Sequence, residues 1–373
     1  MNPERVFCAN VSCVASGQVG QGNIKVYSHQ EKRYQCEACH QTFTTSKGTL
    51  FYRLKTDPAQ VMLVLVLLVN GCPLQAIVAA FGYDPRTVKD WLRRAGEHCE
   101  EVHQYLMGEN QLDLEQVQAD ELKVKVQGGT VWMALAMQVK SRLWLGGAVS
   151  PHRDKGLIEA VAGQIRGWAL CRPLLLAVAG LSSYVGAFQR QFRSKLPRNG
   201  RKGRAKLRPW DKVAIVQVVK KRTAGLGQIE RRVVQGCPAM IAQLIVSSQG
   251  AGSINTAFIE RLNATFRQRL APLVRRSRAL ARQPETLHYG MFFLGCVYNL
   301  CTYHASLVIP LVLPNGKHPL LKRTPAIAAG ITDHCWSIQE LLDFRVPTPR
   351  WTPPRQRGRP SKHTLMLIQR WCS

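Results

Sequence analysis

Acidic residues are scarce in this sequence: 23 Asp and Glu stand against 51 Lys and Arg among 373 residues, for a net charge of +28. So large an imbalance exceeds what solubility requires. It selects polyanions as partners, of which nucleic acid is the commonest. An anionic membrane surface is the alternative, but neither an amphipathic basic helix nor a lipidation signal supports it. Long apolar runs are missing too. The run Val61 to Val69 has nine residues and stops at Asn70-Gly71, where a membrane span needs about twenty. No charged-then-apolar leader begins the chain, so it is expected to stay inside the cell. In that reducing setting the twelve cysteines are expected as metal ligands or buried thiols rather than disulfides.

Their spacing is informative. Cys8-x4-Cys13 is followed after 22 residues by Cys36-x2-Cys39, across a polar, Gly-rich segment with short β-like pieces such as Ile24 to Tyr27. Two close pairs of thiolates can close a tetrahedral zinc site, which lets a segment with almost no hydrophobic core hold a fold. The spacing predicts a zinc ribbon over residues 1–52, with His40 as a substitute ligand and four unrelated thiols as the bland alternative. Residues 53–110 read as helices. Pro85-Arg86-Thr87-Val88-Lys89-Asp90-Trp91-Leu92-Arg93-Arg94 follows the turn Gly82-Tyr83-Asp84 and is expected to bury Val88, Trp91 and Leu92. That layout is a helix-turn-helix, with Arg86, Thr87, Lys89 and Arg93 placed to meet a major groove; a plain helical hairpin is the alternative.

From about residue 111 the pattern changes to three short strands, Val117 to Val126, Val131 to Val139 and Leu143 to Val149. A helix from Asp154 to Trp168, an apolar run Leu174 to Val178 and a helix from Ser182 to Phe192 follow. A strand apolar on both faces belongs inside a sheet covered by helices, and this order is that of a ribonuclease-H-like α/β domain. Residues 190–232 carry 15 Lys or Arg against Asp211 and Glu230. We expect an insertion there at about 194–235, with a basic loop containing Arg201, Lys202 and Arg204 that touches nucleic-acid backbone and a strand over Lys212 to Lys221. Long helices are expected from Ser253 to Leu280 and from Pro284 to Val308. The tail from Val346 is rich in Pro and Arg and is expected to be extended or disordered. Its Arg357-Gly358-Arg359-Pro360 core resembles an AT-hook, in which the arginines Arg357 and Arg359 would follow a narrow minor groove; a generic basic tail is the alternative.

Two carboxylates stand out in so basic a chain. Alternation puts Asp120 on the face of its strand shared with Leu122, Val124 and Val126. A charge there needs either a metal or a buried ion pair. Glu260 lies on a helix whose apolar stripe is Ile259, Leu262, Phe266, Leu270 and Leu273, and it shares a neighbouring face with Asn263 and Arg267. Further along, Arg275 and Arg276 add to a basic side expected to lie against DNA.

The run from Asn255 to Arg267, Asn-Thr-Ala-Phe-Ile-Glu-Arg-Leu-Asn-Ala-Thr-Phe-Arg, is similar to the glutamate-bearing segment of a bacterial insertion-sequence DDE transposase family. The resemblance extends to the paired cysteines, to Gly48-Thr49, to the helix-turn-helix, to Asp120-Glu121 and to Gly180-Leu181-Ser182-Ser183-Tyr184, and covers most of residues 1–345. It implies a ribonuclease-H-like catalytic domain at 111–310, a C-terminal region at 311–373, and a catalytic set of Asp120, Glu260 and the basic Arg267. It also implies two magnesium ions held by carboxylates, including Asp120 and Glu260, and 3′-end cleavage followed by strand transfer. The implied partner is double-stranded DNA, as terminal inverted repeats and as target, bound by a homodimer or higher oligomer in the cytoplasm, at the nucleoid of a prokaryote. The family's second aspartate falls on Ala179, and between Asp154 and Asp211 the only acid is Glu159. With one ligand lost, this chain is expected to bind DNA ends yet cut poorly. The otherwise intact motif favours a substitution that would trap a complex before cleavage over general decay of the element. A non-enzymatic, sequence-specific DNA-binding regulator is the competing reading.

Overall fold

The computed structural model describes residues 1–197, 203–223, 226–249, 252–274, 279–311, 319–353 and 358–372. They divide into two compact units, one made of Met1–Pro58 with Leu342–Ser373 and the other of Ala59–Leu341.

In the first unit, β1 (Ile24–Ser28), β2 (Arg33–Cys36) and β3 (Thr42–Thr44) form an antiparallel sheet in sequential order. Its small core gathers Val6, Ile24, Tyr34 and Phe43 around Cys8, Cys13 and Cys36, and is completed from the far end of the sequence by Trp371, with Leu367 packed against it. Trp371 belongs to a C-terminal helix, Lys362–Trp371, capped by the Ser361 side chain on the Thr364 amide. The tail expected to be extended or disordered therefore ends in a helix, because Leu367 and Trp371, four residues apart, present one apolar face that the ribbon covers. Residues 345–348 run across the same unit. Ser16 and Thr348 hydroxyls meet at 2.7 Å, and the Arg345 guanidinium donates to the Thr45 carbonyl. Gly17 is required there, since its φ of 68° brings the Thr348 backbone to where a Cβ would sit.

The second unit opens with α1 (Pro58–Val69), α2 (Leu74–Phe81) and α3 (Pro85–Glu109). Gly82, at φ 70°, ends α2 in the left-handed conformation, and Asp84 caps α3 through its side chain on the Arg86 amide. The strands β4 (Gln116–Val126), β5 (Gly129–Gln138) and β6 (Trp144–Ser150) form the expected meander. The helix α4 (Lys155–Trp168) follows, capped by Asp154, and then β7 (Leu174–Ala179) and α5 (Ser183–Gln191). Next, β8 (Arg193–Lys195) and β9 (Leu207–Pro209) pair as a separate ribbon. The chain then returns to the main sheet as β10 (Val213–Thr223) and β11 (Leu226–Gln235), so much of the basic stretch read as an insertion is sheet. The main sheet has six strands in the order β11-β10-β7-β4-β5-β6. β5 is antiparallel to β4 and β6 to β5, while β7 is parallel to β4 and β10 to β7.

Helix α6 (Pro238–Gln249) packs Ile241, Leu244 and Ile245 on Leu175, Ala177, Ala214 and Val216. Helix α7 (Ala257–Arg269) follows and is shorter than the expected Ser253–Leu280, because Leu270 turns extended and Pro272 sits in a short 3-10 turn. Helix α8 (Pro284–Leu300), likewise shorter than Pro284 to Val308, is buried along almost its whole length against α3 and β6. Its Gly295 is needed for that approach: a Cβ would lie 2.2 Å from the Trp144 ring. No helix among the described residues is long and apolar enough to cross a membrane.

Candidate functional site

The main sheet and α7 build one cleft. In register, Ala119 of β4 lies beside Val178 of β7, and Ala179 lies beside Val218 of β10. Asp120, Ala179 and Val218 therefore follow one another across three adjacent strands, and neighbours on one row point to the same face. That is the face covered by α6 and α7. Asp120, Ala179, Lys220, Thr256 and Glu260 line an open cleft of about 550 Å³, to which Arg153, Gly180 and Val219 also contribute.

Helix α7 is aimed by a residue that periodicity does not single out. Gln118, two residues before Asp120 on the same face of β4, is fully buried. Its Oε1 accepts from the amides of Phe258 and Ile259 at 3.1 and 3.0 Å, and its Nε2 donates to the Asn255 carbonyl at 2.8 Å. Thr256 makes no side-chain cap of its own; Asn255 Oδ1 accepts from the Ala257 amide at 3.1 Å, and Gln118 satisfies the next two free amides of the helix. This fixes the start of α7 over β4 and places Glu260 in its first turn, where the helix dipole favours a negative charge. One turn on, Asn263 Nδ2 donates to Asp120 Oδ2 at 2.9 Å.

The carboxylates sit in different electrostatic settings. Burial, reinforced by the charges of Glu121 and Glu260, lifts Asp120 to about 6, against the opposing pull of a backbone amide and of Lys220. Glu260 is also raised by burial, but the hydrogen bonds of Lys220 and Thr256 outweigh it and hold the carboxyl below its ordinary value. Lys220 Nζ lies 2.5 Å from Glu260 Oε1, and Thr256 Oγ1 donates to the same oxygen at 2.7 Å. Both partners of the ion pair are well exposed, at 55% and 41%, so this is no buried salt bridge. Glu121, next to Asp120, points to the other face of the sheet, where Arg153 and the Tyr184 hydroxyl, at 3.0 Å, hold it. Arg267 is half-buried on α7.

Compared with protein-family models and with curated proteins, the chain matches none.

In the first unit the Sγ atoms of Cys8, Cys13, Cys36 and Cys39 all lie within 4.8 Å of one another, and among the described residues they are the one group of three or more such side chains able to hold a metal; His40 is not in it. Cys8 and Cys39 approach to 3.6 Å, and Cys13 and Cys36 to 3.9 Å. These separations match the ~3.8 Å between sulfurs arranged tetrahedrally at the usual zinc–sulfur distance. The Ala15 amide points at Cys13 Sγ from 3.4 Å and Asn23 Nδ2 at Cys36 Sγ from 3.5 Å, the kind of donor that orients thiolate ligands. Burial pushes Cys13 up to about 11 and Cys8 higher still. At Cys39 burial is outweighed by donors, first the Gln41 amide, and the thiol is lowered. The donor set fits zinc, and the cation is what would keep all four deprotonated.

The expected DNA-contacting residues fall into three groups. Arg86 and Lys89 are exposed at the start of α3 and Thr87 is half-buried beside them. Arg93 instead pairs within its helix, 2.6 Å from Asp90 and 2.7 Å from Glu97. Val88 and Trp91 are buried as expected, but Leu92 is only half-buried. Arg204 and Arg359 are exposed. Arg201, Lys202, Arg275, Arg276 and Arg357 lie outside the described residues.

Proposed function

We propose that this chain is a DNA-binding protein with the catalytic scaffold of a DDE transposase, in which one carboxylate position is blank. The observation that carries the reading is the shared cleft: Asp120, Ala179 and Glu260, separated by 59 and 81 positions of sequence, line one cavity. The sheet supports it. Three antiparallel strands continued by two parallel ones, in the order β6-β5-β4-β7-β10, are the arrangement of a ribonuclease-H-like domain, and functional groups gather where the parallel strands end.

On this reading Asp120 and Glu260 hold magnesium, and the paired ions supply activation of the attacking oxygen and stabilisation of the leaving one. Gln118 and Asn263 position the two carboxylates, Gln118 through the start of α7 and Asn263 by its bond to Asp120. The ribbon, α2 and α3 with Arg86 and Lys89, and the basic tail bind duplex DNA, with α3 as the second helix of a helix-turn-helix. Two copies act together because two element ends must be joined.

The second reading, a regulator that binds DNA without cutting it, is favoured by Ala179 itself. Restoring the acid separates them. The variant Ala179→Asp, given magnesium or manganese and a labelled duplex carrying the sequence that flanks its own gene, should nick that duplex at least about 10²-fold faster than the unaltered chain. If it binds the duplex and cuts no faster, the regulator reading stands and the nuclease reading fails.

A further inference from the structure

A second charged locus lies on the other flank of α7. Arg142, in the turn between β5 and β6, has a φ of 60°, an energetically costly conformation for a residue with a long side chain. Neutral groups hold it. Its guanidinium donates to the Val139 carbonyl and stacks 3.9 Å from the centre of the Phe258 ring, its Nε reaches Ser306 Oγ at 3.4 Å, and its own carbonyl accepts from Tyr298 Oη at 3.1 Å. Burial raises the Tyr298 hydroxyl, against the opposing charges of Arg142, Arg261 and Arg269. His304 feels both Arg142 and Arg261. Arg269 Nη1 in turn donates to Thr302 Oγ1 at 3.3 Å.

On α7, Phe258, Arg261, Thr265 and Arg269 follow at spacings of three, four and four, so they form one stripe, roughly opposite Glu260, Asn263 and Arg267. Among the described residues no carboxylate pairs with Arg142, Arg261 or Arg269, and half-buried Arg142 is lowered by burial and by the charge of Arg261, against the opposing pull of Tyr298. Like charges gathered this way repel, and a partly desolvated guanidinium without a counter-ion costs more again. Elsewhere in the fold such arginines have acids: Arg153 has Glu121, Arg190 has Glu159, and Arg93 and Arg94 share Asp90. The Arg142 and Arg269 guanidinium groups, fixed by carbonyl and hydroxyl oxygens, suit a phosphodiester.

We propose that Arg142, Arg261 and Arg269 form a phosphate-binding site for the backbone of duplex DNA, distinct from the Asp120 and Glu260 cleft and independent of divalent metal. The proposal rests on the DNA-binding part of the functional reading and adds a place where the duplex is gripped. Duplex DNA is the favoured polyanion because the proposed function already binds it, and the stripe, with Arg261 exposed, offers its backbone a grip on the flank of α7 away from Glu260.

The test is the salt dependence of binding to a labelled duplex without divalent ions. The double variant Arg261→Gln/Arg269→Gln alters the side chains on the α7 stripe and leaves Arg142 packed. The slope of log affinity against log salt should become shallower by about 2, with about tenfold or more lost in affinity at moderate salt. Arg261→Lys/Arg269→Lys, which keeps the charge, should keep the slope. An unchanged slope in the glutamine pair, or a reduced one in the lysine pair, overturns the site. So does binding to duplex RNA that exceeds binding to DNA and shares the same dependence. If the unaltered protein binds no duplex DNA, it is the functional reading that fails.

Discussion

In the cysteine cluster every ligand atom already lies within 4.8 Å of the others, backbone and amide donors point at the sulfurs, and the surrounding core is small. In the cleft the two carboxylates already carry partners of the protein's own, Lys220 on Glu260 and Asn263 on Asp120, and a methyl group stands at 179. The first arrangement is a four-sulfur group set within the small core of its unit, where a bound zinc would be closed in and structural. The second is an open site built on a fold that stands without it, since the six-stranded sheet and its helices bury their core whatever sits in the cleft. A metal held by the cysteines would therefore answer for stability, whereas a metal in the cleft would answer for chemistry.

The comparison breaks most visibly at Cys36, which is fully buried. Cys36→Ser should abolish zinc uptake by the first unit and unfold it, a loss on the order of 10 kcal/mol of coupled binding and folding. Zinc content and protease protection of residues 1–58 report it, and a folded, protected ribbon without zinc would refute the contrast. A smaller effect is expected at Asp120, whose native pKa of about 6 lies above the ~3.9 of an unfolded aspartate. The native state then holds the proton more tightly, so stability is highest below pH 4 and falls as pH rises through 6. Asp120→Asn should remove that slope from the thermal unfolding midpoint, and a slope unchanged in the variant would show that the cleft does not strain the carboxylate. The smallest effect is at Lys220. In the Ala179→Asp background, Lys220→Gln should raise manganese affinity by up to about fivefold, as expected for removing one exposed competing charge. Calorimetry measures it directly, and no gain would mean the lysine does not compete with the ion.

Much of the frame was legible from periodicity. The meander of β4 to β6, the buried run of β7, the Asp154 cap and the apolar stripe of α7 all follow from local spacing, and Asp120 stood out because alternation put a charge on an apolar face. What was missed depends on partners far away in sequence or on weak patterns. β11 interleaves Glu230, Arg231 and Arg232 with its apolar residues and pairs with β10 alone, so it reads only as part of the insertion at about 194–235, with no strand of its own. Gln118 looks like any polar residue in a strand until it meets two amides 140 and 141 positions later. Lys220 is one of 15 cations between 190 and 232, and no rule of spacing marks it as the one beside Glu260. The end of α7 was overrun because its arginine-rich continuation keeps helical periodicity while Pro272 interrupts the backbone.

Trp371 and Thr348 give the first unit a further property. Because the ribbon's core and its strap are supplied from beyond residue 341, a chain emerging from the ribosome makes its cysteines first and the residues that seal them last. The ribbon must wait, half-built, while the entire intervening domain is synthesised. Loss of Trp371 or of the Thr348 strap would thus wound the amino-terminal sheet, far away in sequence.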